Sequence, residues 1–326
     1  MRVSIYNIPI EEVLSQVRAR RVLLQLPDGL KPYAIKIAKA VQHYTGGEVF
    51  VSSGGCYGPC DVAVWEARRI SADVIVHIGH APSPHAPSGN DIKIIYIEGQ
   101  IVADKSHVLE MLRRLPKDVK RVGLAYVVQY RWLVGDVVQH MRCKGREVVI
   151  GPRGSRCAYP GQVLGCDYTT ATHIENEVDA FLLLASGTFH AIGMQLCVKK
   201  PVFVLDPLGN DLFTVEKDME SYLRRRTARL AKLKDAKRVA LAIGTKTGQL
   251  FLHEAQLLAQ YLKEEGKEVV FVTFDEFYVE RIGNFTEVDA YVVVACPRIE
   301  VPGGIWGRPV IPYDEILTAL QFEEQN

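Results

Sequence analysis

Three stretches of the chain share one order of apolar and polar positions. Each opens with Arg-Val and a short apolar run: Arg21-Val22-Leu23-Leu24-Gln25-Leu26, Arg121-Val122-Gly123-Leu124-Ala125-Tyr126 and Arg238-Val239-Ala240-Leu241-Ala242-Ile243. A segment of helical spacing follows. Glu-Val and a second apolar run then begin at Glu48, Glu147 and Glu268, which lie 27, 26 and 30 residues after the respective Arg. That interval suits one βαβ unit. A third run follows an aspartate each time, at Asp73, Asp179 and Asp289. Near-continuous apolar runs of this length predict strands of a parallel sheet covered on both faces. Further runs at 93–97, 201–205 and 309–311 supply a fourth strand to each repeat. Helical spacing places Ile35, Ala38 and Val41 on one face of a helix starting near Pro32, and treats Leu250, Ala255, Leu258 and Leu262 alike in the third repeat.

The expected fold class is therefore α/β, in three similar parallel-sheet domains over residues 1–103 (with Cys60), 104–212 (with Cys166) and 213–326 (with Cys296). Helices from about Asp104 to Leu115 and from Val215 to Leu233 link one repeat to the next. The basic run Arg224-Arg225-Arg226 on the second linker reads as a solvated helix face rather than an anion site.

Composition narrows the function classes. With 326 residues, 48% hydrophobic, 24% charged and a formal net charge of +1, the chain has the make-up of a globular protein, with no broad electrostatic case for direct nucleic-acid or membrane binding. Its first residues lack the apolar stretch of a signal peptide, and no run is long and apolar enough for a membrane span, so a cytoplasmic location is expected. In that reducing setting the 7 cysteines, odd in number and scattered, read as buried thiols, metal ligands or reactive groups rather than disulfides. Cys143 and Cys197, both in helix-like stretches, read as small buried hydrophobes, and Cys157 as a loop thiol.

In open α/β sheets ligands sit beyond the carboxyl ends of the strands, and there the unusual residues fall. Gly54-Gly55-Cys56-Tyr57-Gly58-Pro59-Cys60-Asp61 follows the second strand of the first repeat. The segment from Gly151 to Asp167, with Cys157 and Cys166, follows that of the second. Ala295-Cys296-Pro297-Arg298 follows the third strand of the third repeat. If the three units face a common axis with these ends, one thiolate from each can converge. Three thiolates make a partial shell for an iron–sulfur cluster and leave one iron of a 4Fe–4S cube open; three cysteines and a water would also suit zinc. The C-x3-C-x2-C loop of radical enzymes is absent, because Ala63 stands at its third position. Ferredoxin spacings, paired C-x2-C, a phosphate-binding G-x-x-x-x-G-K-[ST] loop and a dinucleotide-binding G-x-G-x-x-G after the first strand are absent too. His77, His80 and His85 sit at a strand end, but a spacing of three in a non-helical segment predicts no shared metal.

Six motifs in order carry a resemblance: Leu26-Pro27-Asp28-Gly29-Leu30, Tyr57-Gly58-Pro59-Cys60-Asp61, Pro160-Gly161-Gln162-Val163-Leu164-Gly165-Cys166, Ser186-Gly187-Thr188-Phe189-His190, Gly248-Gln249-Leu250 and Val293-Val294-Ala295-Cys296-Pro297-Arg298. Over nearly its whole length the chain resembles the archaeal diphthamide biosynthesis enzymes, radical 3-amino-3-carboxypropyl transferases acting on elongation factor 2. The resemblance implies three α/β domains in a pseudo-threefold arrangement around a 4Fe–4S cluster held by Cys60, Cys166 and Cys296. It implies S-adenosylmethionine as substrate, transfer of its 3-amino-3-carboxypropyl group to carbon 2 of a histidine imidazole of elongation factor 2, and methylthioadenosine as by-product. It also implies a homodimer and an electron donor. Arg298, Gln249 and His190 become candidates for binding S-adenosylmethionine, the first through paired hydrogen bonds to its carboxylate. The chain departs from the family pattern at the extra Cys56, at Pro59 in place of a small residue, and at Asp28 in place of glutamate. A quinolinate synthase-like 4Fe–4S dehydratase and a zinc-stabilised, non-enzymatic partner subunit are the alternatives.

Overall fold

The computed structural model describes residues 1–87, 92–246, 248–297, 299 and 302–317. They fall into two compact units, Met1–Glu216 and Lys217–Asn326.

The first unit opens with β1 (Arg2–Val3), β2 (Tyr6–Asn7) and α1 (Ile10–Leu14). Then come β3 (Arg21–Gln25), α2 (Ala34–Thr45), β4 (Glu48–Val51), α3 (Val64–Arg69), β5 (Val74–Ile78), β6 (Lys93–Ile97) and β7 (Gln100–Ile101). Strands β3 to β6 form a parallel sheet in the order β4-β3-β5-β6, while β1, β2 and β7 make a small antiparallel sheet that no apolar run announces. The second half continues with α4 (Lys105–Met111), β8 (Arg121–Tyr126), α5 (Val134–Cys143), β9 (Glu147–Val149), α6 (Thr169–Thr172), β10 (Ala180–Leu184), α7 (Phe189–Cys197), β11 (Val202–Asp206) and β12 (Asp211–Thr214). Its sheet runs β12-β11-β10-β8-β9, parallel except for β12.

The second unit holds nearly all of α8 (Glu216–Asp235), then β13 (Arg238–Gly244), α9 (Leu252–Glu264), β14 (Glu268–Phe274), α10 (Val279–Ile282), β15 (Ala290–Val294), β16 (Gly304–Ile305) and β17 (Arg308–Pro312). The order is β14-β13-β15-β17-β16, again parallel but for its last strand. The α/β class and the parallel strands are thus as expected. Each sheet places its first repeat strand between the second and third, so the strand order reverses there, and ligands of such sheets collect at that reversal.

The sequence repeat has a structural cause. Each Arg-Val opening is the register partner of the Glu-Val opening: Arg21 faces Glu48, Arg121 faces Glu147 and Arg238 faces Glu268. The aspartate before each third strand accepts hydrogen bonds from two backbone N–H groups where the first strand begins: Asp73 from Arg20 and Arg21, Asp179 from Lys120 and Arg121, Asp289 from Lys237 and Arg238. In each case a backbone N–H at the start of the first strand is the largest cause holding the carboxyl below its ordinary range.

Helix faces differ from expectation in detail. In α2 the buried residues are Ile37, Val41 and Thr45, while Ile35 is exposed and Ala38 half-buried. The entry turn Asp28–Tyr33, a 3-10 segment with Pro32 inside, rotates the start of α2 away from the assumed phase. In α9 Ala255, Leu258 and Leu262 are buried as expected and Ala259 is buried as well, but Leu250 precedes the helix and is exposed. Cys143 and Cys197, expected in the core, are each the last residue of a helix and are exposed. Among the described residues no helix is long and apolar enough to cross a membrane.

The linker helix α8 also departs from its expected face. Arg224 pairs with Glu220 on the surface, but Arg226 turns inward and donates to the backbone oxygen of Glu315 at 3.0 Å. Three residues on, Arg229 binds the Glu315 carboxylate, whose side chain is 1% exposed, through both Nε (3.0 Å) and a terminal nitrogen. Replacing one partner of a buried pair strands the other charge. Arg229→Met is therefore expected to destabilise the second unit by about 3 kcal/mol, read as a lower urea midpoint with an unchanged slope.

Candidate metal centre

Buried polar side chains tie down the loop that carries Cys60. Gln25, the last residue of β3 and 1% exposed, donates through Nε2 to the carbonyl of Asp61 (2.8 Å) and accepts at Oε1 from the N–H of Ala63 (3.1 Å). Asp61, also buried, accepts from the N–H of Tyr57 (3.2 Å), and its own N–H donates to Gly58 (3.1 Å). Tyr96 at the end of β6 donates to the carbonyl of Pro59 (2.9 Å). Burial, then the thiols of Cys60 and Cys56, pushes the Tyr96 phenol upward, so it stays protonated as a donor. Lys31 reaches the carbonyls of Ser53 and Gly54 at the loop's start. Cys60 is left half-buried on a fixed turn.

The Cys166 loop repeats these devices with other residues. Gln162, 1% exposed, accepts from the N–H groups of Ala158 (2.9 Å) and Tyr159 (3.1 Å). Tyr126 at the end of β8 donates to the carbonyl of Pro160 (2.8 Å), its phenol pushed up to about 12 chiefly by burial. Leu164 and Asp167 exchange both backbone hydrogen bonds at 3.1 Å, which leaves Gly165 and Cys166 as the tip of a two-residue hairpin with the thiol exposed. The Asp167 carboxylate accepts from the N–H of Arg156 (2.8 Å) and from the N–H (3.0 Å) and hydroxyl (2.5 Å) of Thr169. Gly154 is required beside it, since a Cβ there would lie 2.5 Å from a carboxylate oxygen. Cys157, in the same loop, is buried, and burial and Asp167 push its thiol up.

Within the first unit the carboxyl ends of both sheets are brought together. Ser83, beyond β5, donates to the carbonyl of Arg156 (2.8 Å), and Gln129, beyond β8, donates to that of Gly79 (2.9 Å). The Cys60 and Cys166 loops thus leave from adjoining sheet ends.

In the second unit Cys296 lies two residues beyond β15, half-buried in a turn closed by Ile299 N–H to its carbonyl (3.0 Å). Gln249 follows the neighbouring strand β13 and is 2% exposed, and its Nε2 meets no hydrogen-bond acceptor among the described residues. A buried amide of this kind is costly unless a ligand completes it. Arg298 lies outside the described residues. His190, in the first unit, is the second residue of α7, half-buried and edge-on to Phe189 at 5.1 Å between ring centroids. The turn before it is fixed by Asp206, which accepts from Ser186 (2.8 Å) and from the N–H of Gly187 (3.1 Å).

One cluster runs against the sequence expectation. Cys56, His77 and His80 do converge: Cys56 Sγ is 3.8 Å from His77 Nε2, which is 2.9 Å from His80 Nδ1. Gly79, at φ +98°, reverses the chain between the two histidines and overrides their unpromising spacing. His85 is exposed and takes no part. The positioning residues Gln25, Asp61, Gln162 and Asp167 were also missed. Their signal was a Cys-Asp pair in both loops and a glutamine ending an apolar strand.

Fold and site together define an α/β protein that presents thiols and imidazoles beyond the ends of mostly parallel sheets, the donor set of a metalloprotein. The family model for the diphthamide synthesis protein matches residues 26–326, and the chain belongs to that family. It is 30% identical to the 2-(3-amino-3-carboxypropyl)histidine synthase of Pyrococcus horikoshii over 98% of this chain and 92% of that one. It is 28% identical to subunit 1 of the Homo sapiens enzyme of the same name, over 98% of this chain and 73% of that one. The crystal structure of Dph2 from Pyrococcus horikoshii with a 4Fe–4S cluster matches with a TM-score of 0.85 at 29% identity, covering 97% of this chain and 91% of that one. The expectation of an enzyme of diphthamide synthesis is borne out, and the family selects it over the quinolinate synthase and non-enzymatic alternatives.

Asp167 supports its loop as a carboxylate. Burial raises its pKa, but the Thr169 hydroxyl and the Arg156 and Thr169 N–H groups outweigh burial and hold it below the ordinary range. Asp167→Ala is expected to cost about 1–3 kcal/mol. A depressed carboxyl stabilises fully above its unfolded pKa, so the gap between wild type and variant is constant at neutral pH and closes as pH falls through the folded value. Denaturant titrations at a series of pH values check both statements.

Proposed function

We propose that this chain catalyses the first step of diphthamide synthesis, transferring the 3-amino-3-carboxypropyl group of S-adenosylmethionine to carbon 2 of a histidine imidazole in elongation factor 2. The reading rests on one observation above all: Cys60, Cys166 and Cys296 each stand on a pinned turn beyond the carboxyl end of a parallel sheet. Three thiols so presented fit a 4Fe–4S cluster, whereas Cys157 is buried against Asp167 and is unsuited to join them. In this proposal residues 1–103, 104–212 and 213–326 are three α/β domains in a pseudo-threefold arrangement around that cluster. When bound, the cluster supplies the electron that splits the sulfonium at its amino-carboxypropyl carbon, with methylthioadenosine as by-product.

The chain's own residues then have to select that carbon. Gln249 offers its unsatisfied Nε2 as a donor to the amino acid end of S-adenosylmethionine. Arg298 provides the matching charge for the carboxylate, and His190 borders the same substrate. A homodimer, an external electron donor and a cytoplasmic location complete the proposal.

Anaerobic incubation of the reduced protein with labelled S-adenosylmethionine and elongation factor 2 tests it, with mass spectrometry of the factor. The expected result is one 3-amino-3-carboxypropyl group on one histidine together with methylthioadenosine. Release of 5′-deoxyadenosine as the main product would refute the bond choice. Zinc in place of iron after anaerobic reconstitution would refute the cluster. Cys60→Ala and Cys166→Ala are expected to lose iron, while Cys56→Ala keeps it. Gln249→Leu is expected to keep its iron and to weaken S-adenosylmethionine binding about tenfold or more, the worth of one hydrogen bond to a charged group.

A further inference from the structure

The strand order of the first sheet reverses between β3 and β5, where Gln25 and His77 are register partners. His77 is fully buried, and its Nδ1 lies 3.1 Å from Gln25 Oε1. The partners of that amide fix its orientation. Its Nε2 donates to the Asp61 carbonyl and its Oε1 already accepts from Ala63. His77 Nδ1 must therefore carry the proton, which leaves the lone pair of Nε2 facing Cys56 Sγ and His80 Nδ1. A ring nitrogen fixed as donor to an oxygen, with the other nitrogen bare, is the arrangement of a histidine prepared to bind a metal.

The distances lie within a small adjustment of those around a bound ion. Bond lengths of about 2.0 Å to nitrogen and 2.3 Å to sulfur give tetrahedral edges of about 3.3 Å between two nitrogens and about 3.5 Å between nitrogen and sulfur. Here the corresponding separations are 2.9 and 3.8 Å, and all three donor atoms lie within 4.8 Å of one another. Cys56 and His77 are buried and His80 is half-buried, so an ion would reach the site from the His80 side. Satisfying a buried neutral imidazole takes a single donor, which His80 alone could supply. The thiol adds a soft third ligand, and one sulfur with two imidazoles is a zinc-type donor set.

We propose that Cys56, His77 and His80 bind one divalent ion of the zinc class, with a fourth position open to water or a substrate group, at a site separate from the cysteines of the cluster. Binding releases the Cys56 thiol proton and moves the His80 proton from Nδ1 to Nε2, so that three lone pairs meet the ion.

The test measures zinc and iron per chain in full-length protein purified anaerobically and loaded with its cluster, then titrates Zn2+ against a competing chelator. The expected result is one tightly held zinc in addition to the iron. Cys56→Ser and His80→Gln should each weaken zinc binding at least tenfold with iron unchanged, and Cys166→Ser should keep the zinc. Co2+ in place of zinc should give a sulfur-to-cobalt charge-transfer band that Cys56→Ser abolishes. The proposal is overturned if wild type takes up no zinc or if both variants bind it as well as wild type. It is equally overturned if Cys56→Ser loses iron along with zinc, because Cys56 then belongs to the cluster.

Discussion

A loop leaving a buried parallel strand carries backbone donors and acceptors out of the ladder that had satisfied them. Something must complete those bonds, or the loop cannot hold one shape beside an apolar sheet. In this chain buried side chains do so: Gln25 and Asp61 in the first loop, Gln162 and Asp167 in the second. Each is nearly sealed from water, where a hydrogen bond left unmade is expensive. The positions of Cys60 and Cys166 follow from this constraint. Each thiol is carried by a turn that these buried side chains hold in place.

That logic explains which parts of the structure were legible beforehand. The repeat was visible because its boundaries are contacts: Arg faces Glu across the first two strands, and Asp closes the third strand onto the first. The strand runs were visible because a sheet covered on both faces tolerates little but apolar residues. Helix phase was less visible. The 3-10 entry at Asp28–Tyr33 shifts α2 by a fraction of a turn, enough to put Ile35 in water and Ile37 in the core. The edge strands β12 and β16 and the small sheet of β1, β2 and β7 are only two to four residues long, too short for a periodicity to register.

Side-chain convergence was the least visible of all. Motifs pointed to Cys60, Cys166, Cys296, Gln249 and His190, but no pattern along the chain announced that His80 folds back onto His77. A single glycine with positive φ produces that contact. Likewise Arg226 looked like part of a solvated run, yet a spacing of three residues sets it beside Arg229 on the inner face of α8. Spacing rules are written for regular elements, and both cases depend on what a partner segment places opposite.

The aspartate staples at the amino ends of the sheets have a consequence for how such a protein can change. Asp73, Asp179 and Asp289 fasten each sheet at the end opposite the cysteine loops. The fastening therefore does not depend on what those loops contain. A residue gained there adds a reactive group without loosening the strands beneath it. The molecule is divided into a conservative end and an experimental end, and new chemistry can be tried at one while the other keeps the fold.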